Sequence, residues 1–142
     1  MNDQANLSHQ VPDSRSGEFV KHQLNVPACT PATPDIDHWV LQLWGVAPQH
    51  INDPELLSGM LNGVVEELNL TRVSDHTHYF GPGVSTVIIL SESHLSAHTW
   101  PELGYMHVDL VTCVKQLTQS RLELAFRRTF APEKSRLIQL EY

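Results

Sequence analysis

Serine, histidine, carboxylate and thiol side chains are concentrated in one segment of this 142-residue chain. The segment spans residues 89–113 and reads ILSESHLSAHTWPELGYMHVDLVTC, which otherwise has the apolar content of two buried strands. A buried core avoids such groups, because each polar atom there needs a hydrogen-bonding partner. Serine, histidine and cysteine side chains are instead groups that take part in covalent and acid–base catalysis. The segment therefore indicates a reaction centre.

A metal centre is one interpretation of the histidines, of which the chain has nine. His76 and His78 would share one face of a strand, and His94 and His98 are four positions apart. Pro101 after these residues and the β-branched run VSTVII before them argue against a helix at 94–98. The spacing of four therefore does not indicate two metal ligands on one face of a helix. The chain has no HExxH motif and no paired cysteines. We therefore expect no metal site, and we expect His76 and His78 to be satisfied by local hydrogen bonds.

A Ser-His-Asp hydrolase is a second interpretation, with Ser93, His98 and Asp109 as its members. The chain has no GxSxG motif, and the serine lacks the strand-turn-helix context of that class of enzyme. The sequence therefore argues against a conventional catalytic triad.

Several short motifs occur in a fixed order within and just before the segment. They are Gly83-Val84-Ser85, Glu92-Ser93-His94, His98-Thr99-Trp100-Pro101-Glu102, Gly104-Tyr105, Asp109 and Thr112-Cys113. In type, order and spacing they resemble the active-site core of the bacterial S-adenosylmethionine decarboxylase proenzymes, strongly over residues 83–113. The order of predicted elements extends the resemblance more weakly from about residue 37 to the C-terminus.

The resemblance implies a chain that cuts itself to make its own cofactor. Ser93 Oγ would attack the carbonyl of Glu92, so that the amide becomes an ester that is easier to eliminate. His98 matches the family's base for the α-proton of Ser93, and Ser85 matches a serine that assists by hydrogen bonding. Elimination and hydrolysis would release ammonia and leave a pyruvoyl group in place of Ser93. The two products would be residues 1–92 and residues 93–142.

The same resemblance implies how the pyruvoyl group is used. Its ketone would form a Schiff base with S-adenosylmethionine and take up the electrons left by departing CO₂, which supplies aminopropyl groups for polyamine (spermidine) synthesis. Cys113 matches the proton donor that completes the reaction. Glu102 matches a glutamate that binds the ribose hydroxyls, while Tyr79 and Trp100 would contact the adenine or the sulfonium. The family's small bacterial members are homodimers of cleaved chains, and we expect the same here.

Three departures from the family pattern leave the substrate more open than the reaction. Thr86 follows the Gly-Val-Ser motif where the family usually has glycine, and the proline of YFGPGVS is displaced. After Cys113 the sequence VKQLTQ enters the second helix directly, where the family often has glycine and an acidic loop. Ornithine or arginine therefore stay as alternative substrates. A binding or regulatory homologue that never cleaves is the alternative of another class.

A small layered domain must position these residues. Residues 1–35 are rich in Ser, Asn, Gln and Pro and predict a flexible tail, and residues 36–142 predict the decarboxylase domain. Strand-like runs and two amphipathic helices, the first capped by Asp53, give the order β-α-β-β-β-α-β. This order favours the α+β class, as a two-layer sandwich with a mainly antiparallel sheet and both helices on one face.

Composition limits the partners and the compartment. The chain has 9 basic and 16 acidic residues, a net charge of −7, which argues against nucleic-acid or anionic-membrane surfaces. Its two cysteines are too few for a disulfide framework, and Cys29 is predicted to be a bystander. Residues 1–19 have no apolar h-region, and no apolar run is long enough to span a bilayer. We therefore expect a cytoplasmic protein with a small-molecule substrate.

Overall fold

The computed structural model describes residues 32–141. Most of the predicted tail over residues 1–35, and Cys29 with it, therefore lies outside the described residues. Residues 32–36 have no regular secondary structure and lead into the first strand. Within the described range, no helix combines the length and the apolar character needed to cross a membrane.

One six-stranded antiparallel sheet forms the frame of the domain. Its elements along the chain are β1 (Asp37–Trp44), α1 (Pro48–Ile51), α2 (Pro54–Glu67), β2 (Arg72–Tyr79), β3 (Val84–Leu90), β4 (Ser93–Trp100), a 3₁₀ turn (Pro101–Leu103), β5 (Tyr105–Thr112), α3 (Gln119–Phe130) and β6 (Lys134–Leu140). In the sheet the strands lie in the order β2-β3-β4-β5-β1-β6. The predicted α+β class with an antiparallel sheet is confirmed.

The predicted order of elements was incomplete in two places. It lacked β4, whose sequence SHLSAHTW carries small and polar residues and only a short apolar alternation, and it lacked the four-residue helix α1. The second long helix also begins later than predicted. Thr118 caps it by accepting a hydrogen bond from the backbone N–H of Arg121, so VKQLT forms a connecting segment before the helix.

The hydrophobic core lies between the sheet and the two long helices. Asp53 caps α2 as predicted, because its carboxylate accepts hydrogen bonds from the first two free backbone N–H groups beyond the proline. Alternate residues of the four strands β1, β3, β4 and β5 are buried, and they form one cluster with the buried residues of α2 and α3. Burying a phenylalanine such as Phe126 contributes roughly 2–3 kcal/mol. The predicted placement of both helices on one face is confirmed.

Within residues 32–141, no helix packs on the other face of the sheet, which we call the open face. Because side chains alternate along a strand, the residues between the buried ones all project from it. Its polar and aromatic members on the central strands are His38, Gln42, Trp44, Ser85, His94, Ser96, His98, Trp100, Tyr105, His107 and Asp109. Most of the chemistry-bearing residues of the motif therefore lie on one surface.

Candidate active site

The predicted cleavage bond lies in the tight turn that joins β3 to β4. Leu90 pairs with Ser93 across this turn, so Ser91 and Glu92 are its two central residues. Ser93 has a φ of 152°, a backbone conformation that residues with a side chain rarely adopt. Such a conformation costs of the order of 1–3 kcal/mol and persists only where the surroundings enforce it. The backbone is therefore strained at the residue that the sequence assigns to cleavage.

Two donors from Cys113 contact the carbonyl oxygen of Glu92. The backbone N–H of Cys113 lies 3.2 Å from this oxygen, and the thiol Sγ lies 3.3 Å from it. Both groups would also donate to the oxyanion that forms if the carbonyl carbon is attacked. Glu92, Ser93 and Cys113, together with Pro34, Ile36, Ser91 and Thr112, line a pocket of about 230 Å³. We call this group the cleavage cluster.

The Glu92 carboxylate anchors the same turn from its other side. Its Oε2 accepts a hydrogen bond of 3.1 Å from the backbone N–H of Thr71, at the start of β2. Burial raises the pKa of this carboxyl, but the hydrogen bonds from Thr71 and from the backbone of Glu92 outweigh burial and hold the pKa below its usual range. The carboxylate is therefore charged at neutral pH and holds the turn in place.

Ser85 and His98 form a second group at the opposite end of β3 and β4. They are directly paired across the two strands, and Ser85 Oγ lies 2.7 Å from His98 Nδ1. With Phe80, Trp100 and Glu102 they line a pocket of about 280 Å³. We call this group the His98 pocket. The structure thus brings together four of the predicted site residues here, at Ser85, His98, Trp100 and Glu102.

The two groups are far apart within one chain. Ser93 and His98 are separated by five positions on β4. At about 3.3 Å per residue, this is a distance of about 16 Å along the strand. His98 therefore cannot reach the α-proton of Ser93 in the same chain without a large rearrangement, although the sequence assigns both residues to one reaction.

Tyr79 is the predicted substrate contact that the structure places elsewhere. Tyr79 pairs with Val84, whose side chain is buried on the helix side of the sheet, so Tyr79 projects to that side and lines a pocket with residues 52–55. The next residue, Phe80, lines the His98 pocket instead and stacks edge-on against His78, with ring centroids 4.5 Å apart. Phe80 was not predicted from the sequence, because a one-residue shift along a strand exchanges the two faces of the sheet.

Thr99 fixes the register of the strands beside the His98 pocket. Its buried hydroxyl donates to the carbonyl of Ile51 at 2.7 Å and accepts from the backbone N–H of Val84 at 2.9 Å. An alanine Cβ at Gly83 would lie 2.7 Å from the Thr99 carbonyl oxygen, which explains the glycine before Val84. These contacts hold the start of β3 against the end of β4 and so position Ser85 and His98.

Thr99→Val should lower the free energy of unfolding by about 1–3 kcal/mol, because valine keeps the volume but leaves a buried N–H and a carbonyl without their partner. The measurement is urea denaturation in a Ser93→Ala background, where an uncleaved chain keeps unfolding two-state. Thr129→Val, at a half-buried position of α3, is the matched control and should change stability by less than about 0.5 kcal/mol. Equal losses in both variants would contradict this role of the hydroxyl.

The two conventional sites do not assemble in the described residues. No group of three or more His, Cys, Asp or Glu side chains in residues 32–141 is placed to share one metal ion. Asp109 contacts His38 Nε2 and lies 3.9 Å from His94 Nε2, so its imidazole partners differ from the His98 of the hydrolase hypothesis. A triad of Ser93, His98 and Asp109 therefore does not form among the described residues.

Comparison with known proteins gives one consistent result. A model of the S-adenosylmethionine decarboxylase family matches residues 37–141. The S-adenosylmethionine decarboxylase proenzyme of Methanococcus maripaludis is 36% identical over 105 residues, which cover 73% of this chain and 86% of that protein. A protein of the same name from a Sulfurihydrogenibium species is 44% identical over 77 residues, covering 54% of this chain and 58% of that one. The crystal structure of adenosylmethionine decarboxylase from Aquifex aeolicus superimposes with a TM-score of 0.69 at 32% identity, covering 78% of this chain and 92% of that chain.

Proposed function

The chain belongs to the S-adenosylmethionine decarboxylase family, and we propose that it matures by cutting its own backbone between Glu92 and Ser93. The family assignment makes the protein an enzyme that decarboxylates S-adenosylmethionine. One observation above all supports the proposed bond, which is the pair of Cys113 donors on the Glu92 carbonyl beside a strained Ser93. The products are residues 1–92 and residues 93–142, the latter headed by a pyruvoyl group made from Ser93.

The first step is an acyl shift within the cleavage cluster. Ser93 Oγ attacks the carbonyl carbon of Glu92, and the negative charge develops on the oxygen that already accepts from the N–H and thiol of Cys113. Donors preorganised at the position of developing charge lower the barrier without reorganisation. When the C–N bond breaks, Ser93 gains a free amine and its oxygen carries the Glu92 acyl group as an ester. Relief of the unusual φ at Ser93 favours the same direction.

The second step needs a base near the α-carbon of Ser93, and His98 is our candidate. Its Nδ1 is hydrogen-bonded to Ser85 Oγ, which fixes the orientation and the tautomer of the ring and leaves Nε2 for proton transfer. Removing the α-proton expels the Glu92 carboxylate and leaves a dehydroalanine, which hydrolyses to the pyruvoyl group and ammonia. Because Ser93 and His98 are about 16 Å apart in one chain, we propose that the base comes from another chain.

A homodimer supplies that base, and we propose that two open faces pack against each other. The open face exposes large apolar side chains beside its polar ones, namely Val87, Ile89, Trp100 and Leu140, each about two-fifths exposed. The cleavage cluster and the His98 pocket lie at opposite ends of β3 and β4. In a two-fold pairing whose axis runs across the strands, each end of β4 meets the opposite end of its partner, so Ser93 would meet His98 of the partner subunit twice in every dimer.

The matured site uses the same residues for turnover. A pyruvoyl ketone at position 93 would supply an electrophile for the substrate amine and an electron sink for the electrons left by departing CO₂. The thiol of Cys113 loses its contact with the Glu92 carbonyl oxygen when Glu92 leaves. This thiol is our candidate for the acid that returns a proton to the substrate carbon. Glu102 is exposed and can accept hydrogen bonds from ribose hydroxyls, while Trp100 and Phe80 offer ring faces to a planar base or a sulfonium.

Cys113→Ala should still cleave, because the backbone N–H of residue 113 stays on the Glu92 carbonyl, but it should cleave more slowly. Turnover of the cleaved enzyme should fall by about 10²-fold or more, since general acid catalysis contributes at least this much. The measurements are intact mass for cleavage and release of labelled CO₂ for turnover. Cys29→Ala is the matched control and should leave both rates unchanged. Unchanged turnover in Cys113→Ala would remove this residue from proton transfer.

Because the sequence departs from the family pattern at three places, the candidate substrates should be compared directly. We expect labelled CO₂ to be released from S-adenosylmethionine and not from ornithine or arginine, in line with the relatives named above. We propose that the product enters polyamine synthesis as an aminopropyl donor. A cytoplasmic location stays a prediction of the sequence.

A further inference from the structure

The acyl shift needs a base at the Ser93 hydroxyl, and the structure holds a candidate next to this hydroxyl in the same chain. The Ser93 hydroxyl must lose its proton as the oxygen bonds to Glu92. His94 Nδ1 lies 3.5 Å from Ser93 Oγ, at the outer limit of hydrogen-bonding distance. In a regular strand, neighbouring side chains point to opposite faces of the sheet. The positive φ of Ser93 is the departure from regular geometry that accompanies this contact.

The far side of the same imidazole faces a carboxylate. His94 Nε2 lies 3.9 Å from Asp109 Oδ2, which is within ion-pair range but beyond a direct hydrogen bond. The other oxygen of Asp109 contacts His38 Nε2, so β1 holds the carboxylate from the opposite side. Asp109 and His38 are largely shielded, with about a quarter and a fifth of their side chains exposed. The carboxylate is thus fixed where it would stabilise a positive charge on His94.

We propose that His94 is the general base that activates Ser93 for the acyl shift, and that Asp109 is its positioning residue. This rests on the proposed cleavage at Glu92–Ser93 and assigns to that reaction a residue that the sequence analysis left without a role. His94 acts within its own chain, whereas His98 of the partner subunit acts in the elimination. The two steps of maturation therefore use different histidines from different chains.

The proton and electron balance of this step is closed. His94 Nδ1 takes the proton of Ser93 Oγ as the Oγ–C bond to Glu92 forms, and the imidazolium is stabilised by Asp109. When the C–N bond breaks, the imidazolium returns that proton to the departing nitrogen of Ser93. The products are an ester, a neutral amine and the starting form of His94, so no other reactant is required.

The test must observe the shift apart from the elimination. In a His98→Ala background the elimination is blocked, and the ester should accumulate in an uncut chain. Hydroxylamine cleaves an ester but not an amide, so it splits the chain at residue 92 in proportion to the ester present. Synthesis of the chain in a cell-free system defines time zero. Samples are treated with hydroxylamine at successive times, and the fraction of cleaved chain by intact mass gives the rate of ester formation.

His94→Asn in this background should slow ester formation by about 10²-fold, because asparagine keeps a polar group near the position of Nδ1 but is not basic. His76→Asn, another histidine on the open face, is the matched control and should leave the rate unchanged. Free imidazole should restore the rate in His94→Ala in proportion to its concentration, which a purely structural role would not produce. An unchanged rate in His94→Asn would overturn the assignment while leaving cleavage itself intact.

Asp109 is tested through His94 by a double-mutant cycle. Asp109→Asn should slow ester formation when His94 is present and should add nothing in the His94→Asn background, since it acts through that ring. Additive losses would show a separate structural effect and overturn its positioning role. Two results together would instead overturn the proposed function. They are the absence of ester in the His98→Ala chain and the absence of cleavage in the unmodified protein.

Discussion

Ser93→Ala will leave the chain whole. The Glu92 carbonyl will still accept both donors from Cys113, and the turn will still be held by Thr71, but no oxygen will be in place to attack. Amide bonds are stable for years without catalysis, so the loss of cleavage is complete on any laboratory timescale. Decarboxylation is lost with it, because no ketone forms. Intact-mass spectrometry and labelled CO₂ release measure the two losses in the same preparation.

Two further variants make this result specific. Ser96→Ala changes a half-buried serine on the same strand and should cleave at the normal rate. Ser93→Cys keeps a nucleophile and should form a thioester that hydroxylamine splits, so it should behave differently from Ser93→Ala. A Ser93→Ala chain that still divides between residues 92 and 93 would contradict the acyl shift, because hydrolysis of the amide would then not need the side chain.

Two inactive chains should restore each other when they are made together. A Ser93→Ala chain keeps Ser85 and His98, while a His98→Ala chain keeps Ser93 and Cys113. If the base acts across the dimer, each mixed dimer has one complete site, and the His98→Ala chain in it should be cut and carry a pyruvoyl group. With distinct tags on the two chains, mass spectrometry identifies which one is cleaved. Made alone, neither chain should be cut.

The control partner is a chain that carries both Ser93→Ala and His98→Ala. It should dimerise equally well but restore nothing, because it cannot donate the imidazole. Failure of the original mixture, with mixed dimers shown by co-purification, would contradict the exchange of His98 between subunits. Full cleavage of His98→Ala on its own would show that another group removes the α-proton. Either outcome would leave the decarboxylase family assignment unchanged.

Much of this fold and site could be predicted from local patterns. The cap at Asp53, the apolar stripe of α2 and the alternation in β5 are all local, so they were visible in the sequence. β4 was missed because its buried positions are Leu95, Ala97 and Thr99, which give a weak apolar signal. Its identity as a strand is set by pairing with β3 and β5 and not by its own residues.

The division of the site into two clusters could not be predicted from spacing. Five positions between Ser93 and His98 are a short distance in a helix or a loop, but about 16 Å in a strand. The distance between the two residues could therefore be predicted only if β4 was recognised as a strand. Phe80 lines the His98 pocket where Tyr79 was expected, because a shift of one residue along a strand changes the face of the sheet from which the side chain projects. The contact of His94 with Ser93 accompanies a φ at Ser93 that no residue preference would indicate.

Intact-mass spectrometry of the purified, unmodified protein tests the central claim most directly. We predict two polypeptides, residues 1–92 and residues 93–142, with the second lighter by one ammonia than the same chain headed by serine. That difference identifies the pyruvoyl group and separates self-processing from proteolysis, which would leave an intact serine. A single chain at the full mass of 16.0 kDa would contradict the account.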